Sequence, residues 1–93
     1  MEIKKMATAG SLESSDVLVT IEPNNDQKIN LTINSPFICQ FGQQIKRIAL
    51  TTLANLQVKN CNLVIQDQRA IDEVLVARII TALERATESV IRY

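Results

Sequence analysis

The hydroxyls and carboxylates that could do chemistry in this 93-residue chain gather in one stretch, Gly10-Ser11-Leu12-Glu13-Ser14-Ser15-Asp16. Ser11, Ser14 and Ser15 offer oxygen nucleophiles, and Glu13 and Asp16 form a carboxylate pair flanking one turn. A serine hydroxyl near its free pKa is a poor nucleophile and needs a base. The chain contains no histidine, which removes the commonest general base, the commonest metal ligand and the usual pH switch. Ser-His-Asp, Cys-His and HExxH chemistry are therefore excluded within it, and no catalytic residue is expected. Nothing beside the carboxylate pair suggests an electrophile or a cleft, so by composition the stretch is an acidic solvated turn. Metal binding would have only oxygen ligands without EF-hand spacing, and no metal site is expected. Gly10 and Gly42 are the only glycines, so there is no phosphate-cradling loop.

Cys39 and Cys61 carry the remaining reactive groups. They form no CxxC, and a small secreted domain usually holds more cysteines. A disulfide is open by count, but the expected state is two reduced thiols packed as small apolar groups, with Cys39 in the first turn of a helix.

Length and charge set the frame for these groups. A chain this short reads as a single domain over residues 1–93, with little material for a deep active site. Twelve Ile, nine Leu and seven Val against three aromatics give an aliphatic core. Ten cations balance ten anions, which argues against nucleic acid, where affinity comes from neutralised phosphates. The balance is uneven: residues 1–45 hold three cations and five anions, and residues 46–93 hold seven and five. The opening MEIKKMATAG has no apolar run behind its lysines, so no secretory signal is read there. The longest apolar run is Val74 to Ala77, far below the ~20 residues that span a bilayer. The expectation is a cytoplasmic protein with no membrane contact.

The elements that must position the serine stretch follow from periodicity. Val17 to Glu22 alternates Val17, Val19 and Ile21 with Leu18, Thr20 and Glu22, a half-buried strand. Pro23-Asn24-Asn25-Asp26 supplies a turn. Ile29, Leu31 and Ile33 then alternate with Asn30, Thr32 and Asn34, and the two runs read as an antiparallel hairpin with one wet face. Residues 7–12 allow a short edge strand. Ser35-Pro36 fits a helix N-cap with Pro at the first helical position. The period then becomes 3.6, with Phe41, Ile45, Ile48, Ala49, Thr52, Leu53 and Leu56 on one stripe and an end near residues 55–57. Gly42 inside it suggests close backbone packing. Residues 58–66 alternate again as a strand, and Asp67 is a plausible cap for a second helix. There Asp72 and Glu73 suit the positive end of the dipole. Its stripe of Ile71, Val74, Leu75, Ile79, Ala82, Leu83, Ala86 and Val90 is interrupted only at Arg78. Arg78, Arg85 and Arg92 recur every seven residues and read as a solvated face. The order is β-β-β-α-β-α: an α+β fold with a small mixed sheet of about four strands and both helices on one face. The crossover helix would be right-handed if its two strands run parallel.

The run Ala9-Gly10-Ser11-Leu12-Glu13-Ser14-Ser15-Asp16-Val17 resembles the acyl carrier (gamma) subunit family of citrate lyase, whose signature reads Gly-Ser/Thr-Leu-Glu-Ser-Gly/Ser-Asp. Ile33-Asn34-Ser35, Gln40-Phe41-Gly42, then Asp67, Ala70, Ile71, Asp72 and Ala77-Arg78 match at the family's spacing. The likeness covers nearly the whole chain. Two departures stand out. Where the family usually reads Asp-Lys-Gly-Ala-Leu-Asp-Cys, this chain has Asp67-Gln68-Arg69-Ala70-Ile71-Asp72-Glu73. It also ends at Tyr93 without the tryptophan-containing tail of many members.

The resemblance implies a non-catalytic carrier subunit. Ser14 falls at the family's attachment serine, which bears a phosphoribosyl-dephospho-coenzyme A through a phosphodiester. It implies attachment by a separate prosthetic-group transferase. It also implies an arm whose thiol holds acetyl and citryl groups between the alpha (citrate transferase) and beta (citryl lyase) subunits, as citrate becomes acetate and oxaloacetate. On the residues themselves, Glu13 and Asp16 are expected to hold an anionic arm off the surface. Two other readings stay open: the carrier of malonate decarboxylase, with the same kind of arm, and a regulatory module docked on a larger enzyme without any covalent group.

Overall fold

The computed structural model describes residues 2–90, so Arg92 and Tyr93 lie outside the described residues. The chain runs β1 (Ala7–Gly10), β2 (Val17–Glu22), β3 (Ile29–Asn34), α1 (Ile38–Asn55), β4 (Cys61–Asp67) and α2 (Asp72–Thr87). This is the expected α+β order, with the edge strand present from Ala7 to Gly10.

Alternation decides which face each strand buries. Val17, Val19 and Ile21 of β2 and Cys61, Leu63 and Ile65 of β4 have no exposed surface. Each fully buried aliphatic side chain contributes about 1.5–3 kcal/mol by leaving water. α2 covers β1 and β2, α1 covers β3, and the helices touch each other, so both lie on that apolar face. From α2, Leu75, Ile79, Ile80, Ala82, Leu83 and Ala86 enter the core; from α1, Ile45, Ala49 and Leu53 do. Val90, at the far end of the expected α2 stripe, lies beyond the helix and is 80% exposed.

The sheet order is β1-β2-β4-β3. This corrects the expected β2–β3 hairpin. β4 lies between them, antiparallel to β2 and parallel to β3, with Val17 opposite Asp67 and Asn34 opposite Gln66. The true hairpin is β1–β2, Gly10 opposite Leu18, closed by the serine stretch. The 23–26 turn instead carries the chain across β4, anchored by Asn24 Nδ2 to Asn62 Oδ1 (2.9 Å) and Asn60 Nδ2 to Asn24 O (3.3 Å). On the helix-free face Asn30 donates to the same Asn62 oxygen (2.9 Å), and Asn62 donates to Glu22 (3.1 Å). That polar ladder adds to the apolar pairs Leu31–Leu63 and Ile33–Ile65 on the helix-covered face in joining β3 to β4.

Three local expectations change. α1 begins with Phe37 as its cap residue, without a capping side chain. Ser35 Oγ accepts from Phe37 N (3.1 Å) and donates to Asp67 Oδ2 (3.0 Å) instead. α2 begins at Asp72, capped by Ile71, and Asp67 is the buried last residue of β4. A Cβ on Gly42 would meet only the Ile38 side chain of its own helix, at 3.2 Å, so no partner backbone requires this glycine.

Because β3 and β4 are parallel, the loops after them open at one end of the sheet, and α1 and α2 both start there. β2 runs antiparallel to β4, so the turn before β2 opens at that end too. Two helix N-termini, with their unpaired N–H groups, and the serine turn therefore share one end of the molecule.

Candidate functional site

The candidate site is the turn from Ser11 to Asp16, and Gly10, Ser11, Ser15 and Asp16 have distinct structural tasks. Gly10 has φ +94°, and a Cβ there would sit 1.8 Å from Val17 O. Only glycine leaves room for the hairpin to close at this point, where Ser11 N donates to Val17 O (3.2 Å). Asp16 N donates to Glu13 O (3.1 Å), closing a β-turn with Ser14 and Ser15 at its centre. Ser15 takes φ +66°, which accounts for the alternation of Gly with Ser at this place in the signature.

Asp16 is the hub. Its carboxylate accepts from Ser11 Oγ (2.7 Å), Val17 N (2.8 Å), and Arg78 Nε and Nη2 (3.1 Å each). The Ser11 hydroxyl, then the Arg78 guanidinium and the Val17 N–H, hold its carboxyl down at about 2, against an ordinary 3.8. Arg78 is thus no member of a solvated line, as its spacing suggested. Its stem passes close to Gly10, it reaches over the hairpin, and its charge is matched by Asp16. Arg85 stays on the exposed face, as expected, with Nη1 donating to Thr8 O on β1 (2.7 Å). Position in the α2 stripe, where Arg78 was the only interruption, was the signal in the sequence.

The backbone of the turn is fixed from a second side. Ser15 N donates to Gln68 O (2.7 Å) and Gln68 N donates to Asp16 O (2.9 Å), joining the turn to the loop after β4. Asp67 steadies that loop, its Oδ1 accepting from Ala70 N (3.0 Å) while Oδ2 accepts from Ser35. Arg69 has φ +67° in the loop and lays its guanidinium over the Phe37 ring, 4.8 Å from the centroid. It stands at the position where the family carries glycine.

The three serines now differ. Ser11 Oγ is occupied by Asp16 and by Glu13 N (3.2 Å). Ser14 and Ser15 are exposed, and among the described residues their hydroxyls have no hydrogen-bond partner. The carboxylates also part company. Asp16 is turned inward and paired, whereas Glu13 is exposed and among the described residues has no side-chain partner. What this arrangement offers chemically is two free hydroxyls at the crest of a backbone-tied turn, neither hydrogen-bonded to a base among the described residues.

Both cysteines are free thiols. Cys61 is buried as expected, and burial pushes its thiol up to about 11. Cys39, expected to be packed, is exposed in the first turn of α1. Among the described residues, no helix is long and apolar enough to cross a membrane.

The family model described as ACP: Malonate decarboxylase delta subunit (MdcD) matches residues 4–86. A citrate lyase acyl carrier protein of Streptococcus equi subsp. zooepidemicus is 48% identical over 86 residues, 92% of this chain and 84% of that protein. One from Halothermothrix orenii is 43% identical over 88 residues, 95% of this chain and 93% of that protein. Among solved structures, a chain of a Pseudomonas malonate decarboxylase hetero-tetramer in complex with malonate matches the fold with a TM-score of 0.65. It is 20% identical, and the match covers 89% of this chain and 84% of that one.

Proposed function

Since the chain belongs to the acyl carrier family that includes the citrate lyase acyl carrier proteins, we propose that it is the carrier subunit of a citrate lyase, with its prosthetic group attached to Ser14. As a member of that family it is a non-catalytic subunit of a larger enzyme. The observation that supports this reading is the difference among the serines: Ser11 is bonded to Asp16, whereas Ser14 and Ser15 are exposed and unbonded at the crest of a turn fixed by Asp16 and Gln68. Between those two, the place of Ser14 in the Gly-Ser-Leu-Glu-Ser-Ser-Asp motif makes it the attachment residue of this proposal.

The residues present fit a phosphodiester-linked arm. The Ser14 hydroxyl is open to a loading enzyme, and the start of each helix presents a positive dipole end on the same side of the molecule. The group, phosphoribosyl-dephospho-coenzyme A on this reading, supplies a flexible chain ending in a thiol that holds acetyl or citryl units. The chain's own contribution is the mount. Gly10 permits the tight hairpin, Asp16 and Arg78 lock it to α2, and Gln68 ties its crest to β4. No histidine exists in the chain and no hydrogen bond links the Ser14 hydroxyl to a base, so on this reading a separate transferase activates it. Of the two carboxylates expected to keep the arm off the surface, Asp16 is neutralised by Arg78, and Glu13 alone keeps that role. Tethering then gives partner active sites an effective substrate concentration of about a millimolar. Those partners are the citrate transferase and citryl lyase subunits.

Intact-mass measurement tests the proposal. Protein made with a matching transferase should gain the mass of the arm, and Ser14→Ala should not, while Ser15→Ala should. Modification retained in Ser14→Ala overturns the assignment. A second reading, the malonate decarboxylase carrier, draws on the structural neighbour and the family description. Reconstitution of the loaded carrier with citrate lyase alpha and beta subunits separates the two, since only a citrate lyase carrier restores citrate cleavage.

A further inference from the structure

Building on Ser14 as the attachment point, we infer that a cavity beside the turn is a berth for an uncharged acyl thioester and refuses one that bears carboxylates. The cavity measures about 190 Å³ and lies where α1 and α2 begin. Its apolar walls are Phe41 and Ile45 of α1, Ala70 of the loop after β4, and Leu75 of α2. Ile45 and Leu75 belong to the core, and Phe41 is 47% exposed at the mouth. An apolar cavity of about 150 Å³ takes a benzene-sized guest, and an acetyl group with its sulfur and the two adjacent methylenes has as many heavy atoms as benzene.

Position ties this cavity to the arm. Asp67, Arg69 and Ala70 line it, and Gln68 between them bonds both Ser15 N and Asp16 O of the attachment turn. Cavity and turn thus share one loop. A group tethered to Ser14 samples its surroundings at an effective concentration of about a millimolar. A berth with a dissociation constant near that value is half filled without any tighter fit.

Charge sets the selectivity. Asp67 and Asp72 line the cavity, but their oxygens are already satisfied, Asp67 by Ser35 and Ala70, Asp72 by Gln44 Nε2 at 2.9 Å to each oxygen. Arg69 is the one cation among the lining residues, and it lies over Phe37. The lining is therefore net anionic. A neutral acetyl thioester loses little on entering, whereas an ionised carboxylate would shed its hydration and face two like charges. The berth holds the acetyl load between reactions and leaves a carboxylate-bearing load free for the next active site.

The experiment uses full-length carrier, loaded in cells and verified by intact mass, with its thiol acylated by a ¹³C-acetyl or a succinyl group. The acetyl methyl should show cross-relaxation to the Ile45 and Leu75 methyls and the Phe41 ring. Its cleavage by hydroxylamine should be about twofold slower than that of acetyl-coenzyme A, as expected for a half-filled berth. The succinyl form should show neither effect. Ala70→Leu fills the cavity and Phe41→Ala opens it at an exposed position; each should abolish the acetyl effects while the mass gain remains. Loaded acetyl carrier without cross-relaxation, or succinyl behaving as acetyl does, overturns the berth alone. No mass gain at Ser14 overturns the attachment reading and the berth with it.

Discussion

Asp16 and Arg78, 62 residues apart in the chain, meet in a two-pronged ion pair, Nε to Oδ1 and Nη2 to Oδ2 at 3.1 Å each. The fork geometry of a guanidinium holds the carboxylate in a fixed plane. Ser11 Oγ and Val17 N then occupy the remaining acceptor directions, and the hairpin carrying Ser14 is locked onto α2.

Acid should reveal this lock. Asp16 has a folded-state pKa of about 2, below its ordinary 3.8. Its contribution to stability is therefore complete above about pH 4 and is lost as pH falls toward 2. Urea unfolding followed by circular dichroism should show the midpoint falling more steeply across that window in the unsubstituted protein than in Asp16→Asn. Parallel curves would contradict the role given to Asp16.

Gly10→Ala should be among the most damaging small changes in the chain. The φ of +94° costs an L-residue about 1–3 kcal/mol, and the new Cβ overlaps Val17 O in addition. Denaturant titration should register at least that loss, and the loading transferase should modify the variant more slowly.

Arg69 sits in a left-handed conformation and also stacks on Phe37. Removing the stack alone with Arg69→Ala should cost about 0.5–1 kcal/mol. Arg69→Gly removes the same stack and relieves the backbone, so it should be more stable than the alanine variant by about 1 kcal/mol. Equal unfolding free energies for the two would show that the backbone there carries no strain.

The two thiols should separate in a labelling experiment. At pH 8 a disulfide reagent should modify Cys39 at the rate of an exposed thiol. Cys61, fully buried and with its thiol held at about 11, should react only after denaturant is added. Counting thiols with and without denaturant decides it, and two fast thiols in the native protein would contradict the burial.

Periodicity made the elements readable and left their neighbours unread. Val17–Glu22 and Ile29–Asn34 each state which face is apolar, but alternation says nothing about which strand lies alongside. The short 23–28 connection suggested a hairpin, yet β4 from much later in the chain occupies the gap. Asp67 and Ser35 are residue types that suit helix caps, yet the fold uses both to bind each other across the site end. Ser14 was legible only through the pattern of the whole motif, since an exposed serine in a turn is ordinary by itself. The seven-residue spacing of Arg78 hides its pairing for a comparable reason. Helical spacing locates a side chain on its own helix, whereas its partner is set by how α2 lies across β1 and β2.

The placing of β4 beside β2, and of α2 over β1 and β2, has a temporal consequence. Everything that holds the Ser14 turn from outside, Gln68 in the loop after β4 and Arg78 on α2, is synthesised after the turn itself, and contacts across such long separations form slowly. A nascent or truncated chain contains the serine without its finished presentation. The serine thus precedes in the chain every residue that fixes its turn from outside, and its presentation is a property of the finished fold alone.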